Sequence, residues 1–159
     1  MELNDNLAFS TNVVWKKMGY YKGFDYKLLN VNPRDKIIEM LFRFEPNQKC
    51  FFHRHYHPTS TLVVSGEQHI YEKNLANGLE SLLKIRKAGE FGLSEGVETH
   101  IEGGGPEGGI IYQNIQVKTD IVYSILNSDD LSVKINVTFD QFHDDFLAGM
   151  QETEEKIAI

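Results

Sequence analysis

Cys50-Phe51-Phe52-His53-Arg54-His55-Tyr56-His57 is the stretch on which the reading of this chain turns. Its aromatic content suits a strand. A strand alternates its side chains between two faces, so His53, His55 and His57 project from one face. Neighbours on that face have Cα atoms roughly 7 Å apart. Two imidazoles at that spacing can lean onto one divalent ion, whose nitrogen ligands sit at about 2.1 Å. Phe51 shares the face of His53 and is a candidate pocket wall, with ordinary core packing as the plain alternative. Cys50 falls on the opposite face. It is the only cysteine, so the chain has no internal disulfide, and it reads as a small buried apolar side chain.

Outward from this stretch, short apolar segments alternate with turn signals, which reads as all-β. Thr11–Lys16 is a candidate first strand. Phe24–Leu29 follows, then the turn Asn32-Pro33-Arg34-Asp35. Lys36–Phe44 places Ile38, Met40, Phe42 and Phe44 on one face. Past the histidines, Thr59–Ser65 runs to Gly66, and Glu67–Lys73 runs to the hairpin signal Asn77-Gly78. Leu79–Arg86 returns, Lys87-Ala88-Gly89 turns, and Val97–Glu102 is the next strand. Gly103–Gly109, rich in glycine, reads as a strand connection or mobile rim, since it lacks the spacing of a phosphate-cradling loop. Ile110–Val117, Ile121–Leu126 and Leu131–Phe139 complete the strands. The period then changes: Phe142, Phe146 and Met150 fall at helical spacing, and Asp140 can cap the first turn. A C-terminal helix over about 140–156 is expected, with Glu152, Glu154 and Glu155 on a solvated face.

At 159 residues the chain reads as a single domain, 1–159, with a β-barrel over about 11–139. Lys plus Arg total 16 against 23 acids, a net charge of −7 that argues against a nucleic-acid partner. No apolar run approaches the ~20 residues of a membrane helix. Met1-Glu2-Leu3-Asn4-Asp5 lacks a signal pattern, so the cytoplasm is the expected location.

About ten strands, short turns and a terminal helix suggest a jelly roll or small barrel. His53-Arg54-His55, with Gly66 eleven residues on, resembles the first motif of the cupin family. Gly89, with His100 eleven residues on, resembles the second. Departures are visible. Asn47 stands at the leading glycine, Thr59 at the motif glutamate, Glu95 at the proline, Val97 at the second-motif glycine and Gly104 at the asparagine. The resemblance implies a double-stranded β-helix with a metal inside the barrel, held by His53, His55 and His100. The set is similar to three-histidine cupins such as cysteine dioxygenase and acetylacetone dioxygenase. The chain also resembles dihydroxyacetophenone dioxygenase-like cupins, whose fourth ligand is a glutamate on the strand after the motif glycine. Glu72 is the matching residue. These relatives imply Fe(II) and O2-dependent cleavage of a carbon–carbon bond beside a carbonyl.

The residues themselves leave the metal open. Neutral imidazoles suit Fe, Zn, Ni and other divalent ions, and Mn is a further candidate. Three neutral ligands on a dication favour an anionic, chelating substrate such as an enolate or catecholate. Glu98 and Glu102 share the face of His100, an unusual placement for a barrel interior, and Glu98 is a candidate extra ligand or an acceptor for a ligating ring's N–H. His57 is either a pocket base or a rim residue before Pro58. His69 and His143 read as surface residues, and Trp15, Tyr112 and Tyr123 as core or dimer contacts. The expected function is a metal-dependent dioxygenase acting on a small organic molecule, in a homodimer. The rivals are a non-enzymatic small-molecule sensor and a metal-dependent isomerase or hydrolase.

Overall fold

Apolar alternation with period two carries most of the chain into strands, as the computed structural model of residues 15–157 shows. They are β1 (Lys16–Lys17), β2 (Phe24–Asn32), β3 (Ile37–Phe44), β4 (His53–His55), β5 (Thr59–Lys73), β6 (Glu80–Lys87), β7 (Phe91–Ser94), β8 (Glu98–Gln116), β9 (Ile121–Leu126) and β10 (Val133–Thr138). One helix follows, α1 (Phe139–Ile157). All strand pairings are antiparallel. The order is β1-β2-β3-β8-β4-β9-β10, with β5 paired to β8 and carrying β6 and β7. The candidate strand Thr11–Lys16 lies mostly outside the described residues, and only Lys16 of it falls in β1.

Strand β8 shapes the curl. Its C-terminal part pairs with β3, from Ile37↔Gln116 to Phe44↔Gly109. Its N-terminal part pairs with β4, from His53↔His100 to His55↔Glu98. Between the two lies the glycine run, which is strand and not the expected loop. There β8 passes against other backbones too closely for side chains. A Cβ on Gly104 would come within 2.9 Å of Phe44 Cβ, and one on Gly109 would run into the Glu67 carbonyl. The partner β5 skips from Gly66↔Gly109 to Gln68↔Gly104, so residues 105–108 bulge and β8 changes direction. The expected break at Gly66 is absent. Gly66 instead takes φ 63 inside a continuous β5.

The apolar core fills the space between β2, β3, β9 and α1, with Leu28, Ile38, Met40, Ile115, Val122 and Phe142 all buried. Burying each such side chain is worth about 1.5–3 kcal/mol. Phe142 anchors the helix, but the expected apolar stripe fades toward its end, because Met150 is exposed. The helix start is capped by Thr138, not Asp140. Gln141 N donates to Thr138 Oγ1 at 3.3 Å and Thr138 N donates to Gln141 Oε1 at 2.8 Å, a reciprocal capping box. Lys16 and Tyr26 both donate to the Asp145 carboxylate, at 2.5 and 2.6 Å, and tie the helix to β1 and β2.

Strand β7 was not legible in the sequence. It and β6 pair only with β5, and they leave Leu83, Ile85, Phe91 and Leu93 exposed.

Candidate metal centre

Strand β4 is only three residues long, yet it is paired on both edges. His53 lies opposite His100 of β8 on one side and Ile125 of β9 on the other. That double pairing fixes its pleat, so His53 and His55 point inward together while Arg54 turns away to donate to Thr99 Oγ1 at 3.0 Å. The same parity on β8 sends His100 and Glu102 inward. His53, His55, His100 and Glu102 each offer one ligand atom, and these atoms lie within 4.8 Å of one another, all four residues buried. This group could hold a metal ion.

Individual contacts aim the donors. His53 Nδ1 donates to the Phe51 carbonyl at 3.0 Å, which leaves Nε2 for the cluster. His53 Nε2 and His55 Nε2 are 2.9 Å apart. Glu102 Oε2 lies 3.4 Å from His53 Nε2 and 4.0 Å from His100 Nε2. The other oxygen, Oε1, accepts from Gln68 Nε2 and, at 3.5 Å, from Gln113 Nε2. Two amides thus hold Glu102 so that Oε2 faces the histidines. His100 Nε2 is buried without a hydrogen-bond partner. An orphaned lone pair in such a place is costly unless a cation receives it.

Charge follows the same logic. Burial opposes a positive charge on each ring. At His53, Cys50 and Glu102 outweigh burial and push the imidazole up to about 10. Burial, then the charges of His53 and His100, push His55 well below the ordinary range. Burial and His53 pull His100 down to about 4. Burial would raise the Glu102 carboxyl, but the His53 hydrogen bond and the nearby positive rings win, holding it well below the usual carboxylate range. The cluster therefore favours one shared cation, with the remaining rings neutral and their lone pairs free. Three neutral imidazoles and a carboxylate fit a divalent ion such as Fe, Mn, Ni or Zn.

The cluster separates two cavities. On one side lies an apolar void of about 20 Å³, walled by Phe24, Met40, Phe42, Phe51, Ile115 and Tyr123. On the other is a larger cavity of about 400 Å³ that reaches His55, His100 and Glu102, is walled in part by Ile70, Leu83 and Leu93, and is rimmed by the charged Glu98, Lys84 and Arg86. Phe51 stands in the wall of the smaller cavity, its ring centroid 5.8 Å from that of His53.

Other expected site residues fall elsewhere. Glu72 does not join the cluster. It is exposed near the end of β5, with its carboxylate 3.5 Å from Ser81 Oγ across β6. The register shifts between β5 and β8 bring Gln68 to Glu102, while Glu72, farther along β5, stands opposite Ser81 of β6. Glu98 sits at the cavity mouth, half-exposed, with Oε2 3.9 Å from His100 Nδ1. It faces the outer edge of the ring and not the ligand centre. His57 is neither pocket base nor rim. It is 2 % exposed, donates from Nε2 to the Ile121 carbonyl at 2.7 Å and accepts from Lys118 N at 3.2 Å. It clamps the β8–β9 connection to the chain after β4. Thr59, at the family's glutamate position, is buried beside the larger cavity and donates to the His57 carbonyl at 3.1 Å. Asn47, at the family's leading glycine, takes φ 57, a left-handed conformation that asparagine tolerates.

Glu102 is the residue that sequence reasoning failed to promote. The signal was present, since His100 and Glu102 repeat the i, i+2 spacing of His53 and His55.

No protein-family model matches the chain, and no curated protein matches it. Solved structures do. An RmlC-like cupin from Ralstonia eutropha superposes with a TM-score of 0.68 at 12 % identity, covering 88 % of this chain and 83 % of that one. The chain therefore has the cupin fold, a jelly roll closed here by one C-terminal helix. Within that fold it is similar to an acetylacetone dioxygenase from Acinetobacter johnsonii, with a TM-score of 0.66 at 16 % identity over 94 % of this chain and 91 % of that one. A putative acetylacetone dioxygenase from Methylibium petroleiphilum gives 0.65 at 17 % identity over 84 % and 88 %.

Proposed function

We propose that this chain is a metal-dependent cupin enzyme, an Fe(II) dioxygenase that cleaves a carbon–carbon bond beside a carbonyl in a small organic substrate. The observation that carries the reading is the buried convergence of His53, His55, His100 and Glu102, with His100 Nε2 left unsatisfied. Two further features support it. The cavities on either side of the cluster differ in kind: the larger, with its charged rim, accommodates an oxygenated substrate, and the smaller apolar one suits a diatomic gas. The similarity to acetylacetone dioxygenases adds support at the level of fold.

A bound metal would polarise the carbonyl or enolate of a chelating substrate and, as iron, would activate oxygen. The chain supplies the rest. His53, oriented by the Phe51 carbonyl, and Glu102, oriented by Gln68, fix the coordination sphere. The aromatic wall around Phe51 excludes water from one side. No protein nucleophile is needed.

The test is metal analysis of purified protein coupled to oxygen consumption over a panel of β-diketones and aryl ketones. Oxygen uptake that follows iron loading supports the dioxygenase. Turnover without oxygen points to an isomerase or hydrolase. Substrate binding with no turnover points to a sensor. The exposed apolar side chains of β6 and β7 support a homodimer as the working assembly.

A further inference from the structure

Arg86, beside the larger cavity, has more donors than the metal cluster uses. Its Nη1 donates to Gln68 Oε1 at 3.0 Å, and Gln68 in turn donates to Glu102. Among the described residues it forms no ion pair, and its Nε is buried without a hydrogen-bond partner. A guanidinium is always charged and presents a planar fork of donors suited to a carboxylate. Leaving one of those donors buried and unpaired is costly unless a ligand completes it.

The surroundings are shaped to hold the group there. The guanidinium lies flat against Gly92 of β7, where a Cβ would meet Cζ at 2.5 Å, Nη2 at 2.6 Å and Nε at 2.8 Å. Only glycine leaves that space. Both residues line the cavity that reaches His55, His100 and Glu102. The charge of the cavity points the same way. Lys84 and Arg86 contribute two positive charges, Glu98 and Glu102 two negative ones, so a divalent metal leaves the cavity two charges positive.

We propose that Arg86 is the recognition residue for a carboxylate on the substrate, so that the enzyme acts on an anionic carbonyl compound whose carbonyl end faces the metal and whose carboxylate end pairs with Arg86. This rests on the metal-dependent reading above and narrows it from any small carbonyl compound to keto or diketo acids.

Two probes that differ only in charge test it. Succinylacetone is a β-diketone with a carboxylate tail, and its methyl ester keeps the diketone and loses the charge. Binding of each is measured anaerobically to the metal-loaded protein by calorimetry. The wild-type chain should bind the acid at least roughly tenfold more tightly than the ester, the scale of a hydrogen bond to a charged group. With the protein saturated in metal, Arg86→Gln should bring the acid-to-ester ratio to about one, set apart from any change that both affinities share, and Arg86→Lys should restore part of the preference. Equal loss for both probes, or an unchanged preference in Arg86→Gln, overturns the proposal. If Arg86→Gln fails to fold, Gly92→Ala decides: its methyl displaces the guanidinium, and an unchanged acid preference there also overturns it. Failure of the underlying reading looks different. A wild-type chain that takes up no metal ends the metal-dependent function, and the carboxylate subsite then stands or falls on whether the metal-free protein still prefers the acid through Arg86.

Discussion

His53 and His100 stand directly opposite each other across the β4–β8 ladder, with ring centroids 4.8 Å apart and planes at 88°. They are forty-seven positions apart in the chain, and the antiparallel register alone brings them together. One ring nitrogen of each converges with donor atoms of His55 and Glu102, all four atoms lying within 4.8 Å of one another. The centre is a product of sheet register, and disturbing its ligands or their supports should have separable effects.

Removing ligands should remove metal. The wild-type chain is expected to take up about one ion per chain, and the His53→Ala, His55→Ala double variant to lose it, read by elemental analysis. Glu102→Gln should lower affinity sharply, because the only anionic donor of the cluster is lost. Glu72→Gln should leave affinity unchanged, since Glu72 is exposed and faces Ser81. A metal content that depends on Glu72 and not on Glu102 would reject this assignment.

Gln68 should matter without touching the metal. Its amide holds Glu102 Oε1, so Gln68→Leu frees the carboxylate to rotate. Metal affinity is expected to fall about 10–100-fold, the usual cost of losing an outer-shell partner. Competition with a chromophoric chelator measures it. Affinity within twofold of wild type would show that Gln113 alone suffices.

His57 should act on stability alone. In His57→Leu the Lys118 amide loses its acceptor and the Ile121 carbonyl loses its shorter bond, keeping only the Thr119 hydroxyl at 3.3 Å. The expected cost is about 2–4 kcal/mol, read by denaturant titration, with metal stoichiometry preserved. Loss of metal at unchanged stability would instead return His57 to the site.

The metal-free protein should be most stable near pH 6.5. Folding lowers the His100 imidazole to about 4 and depresses His55, so both bind protons only in the unfolded chain as pH falls below 6.5. Stability then declines toward pH 4, by up to about 1.4 kcal/mol per group for each pH unit. Folding raises His53 to about 10, so its contribution is complete below 6.5 and is lost as pH climbs toward 10. Chemical denaturation across this range checks the shape. A saturating metal should flatten the alkaline arm, because the bound ion replaces the His53 proton. Stability that rises steadily from pH 6.5 to 9 without metal would contradict it.

Assembly is open to a simple measurement. Light scattering at micromolar concentration should give the mass of two chains, and Phe91→Glu with Leu93→Glu should shift it to one if the exposed face of β7 lies in the contact. A monomeric wild-type mass would reject the homodimer.

What the sequence determined by itself was local. Alternation of apolar residues with turn signals set the strands, and i, i+2 spacing put His53 and His55 on one face, because the pleat of a strand repeats every two residues wherever the strand lies. The spacing from Gly89 to His100 marked the third histidine through its resemblance to the cupin motif. What only the tertiary structure decided was everything that depends on register between distant strands. Glu102 and Gln68 meet because the pairing of β5 with β8 shifts twice, once between Val63 and Ser65 of β5 and once where residues 105–108 of β8 bulge. The same shifts bring Gln68, and not Glu72, to the cluster. The glycines read as a loop from composition. They are strand because neighbouring backbones pass where side chains would stand, and no local pattern records so close an approach.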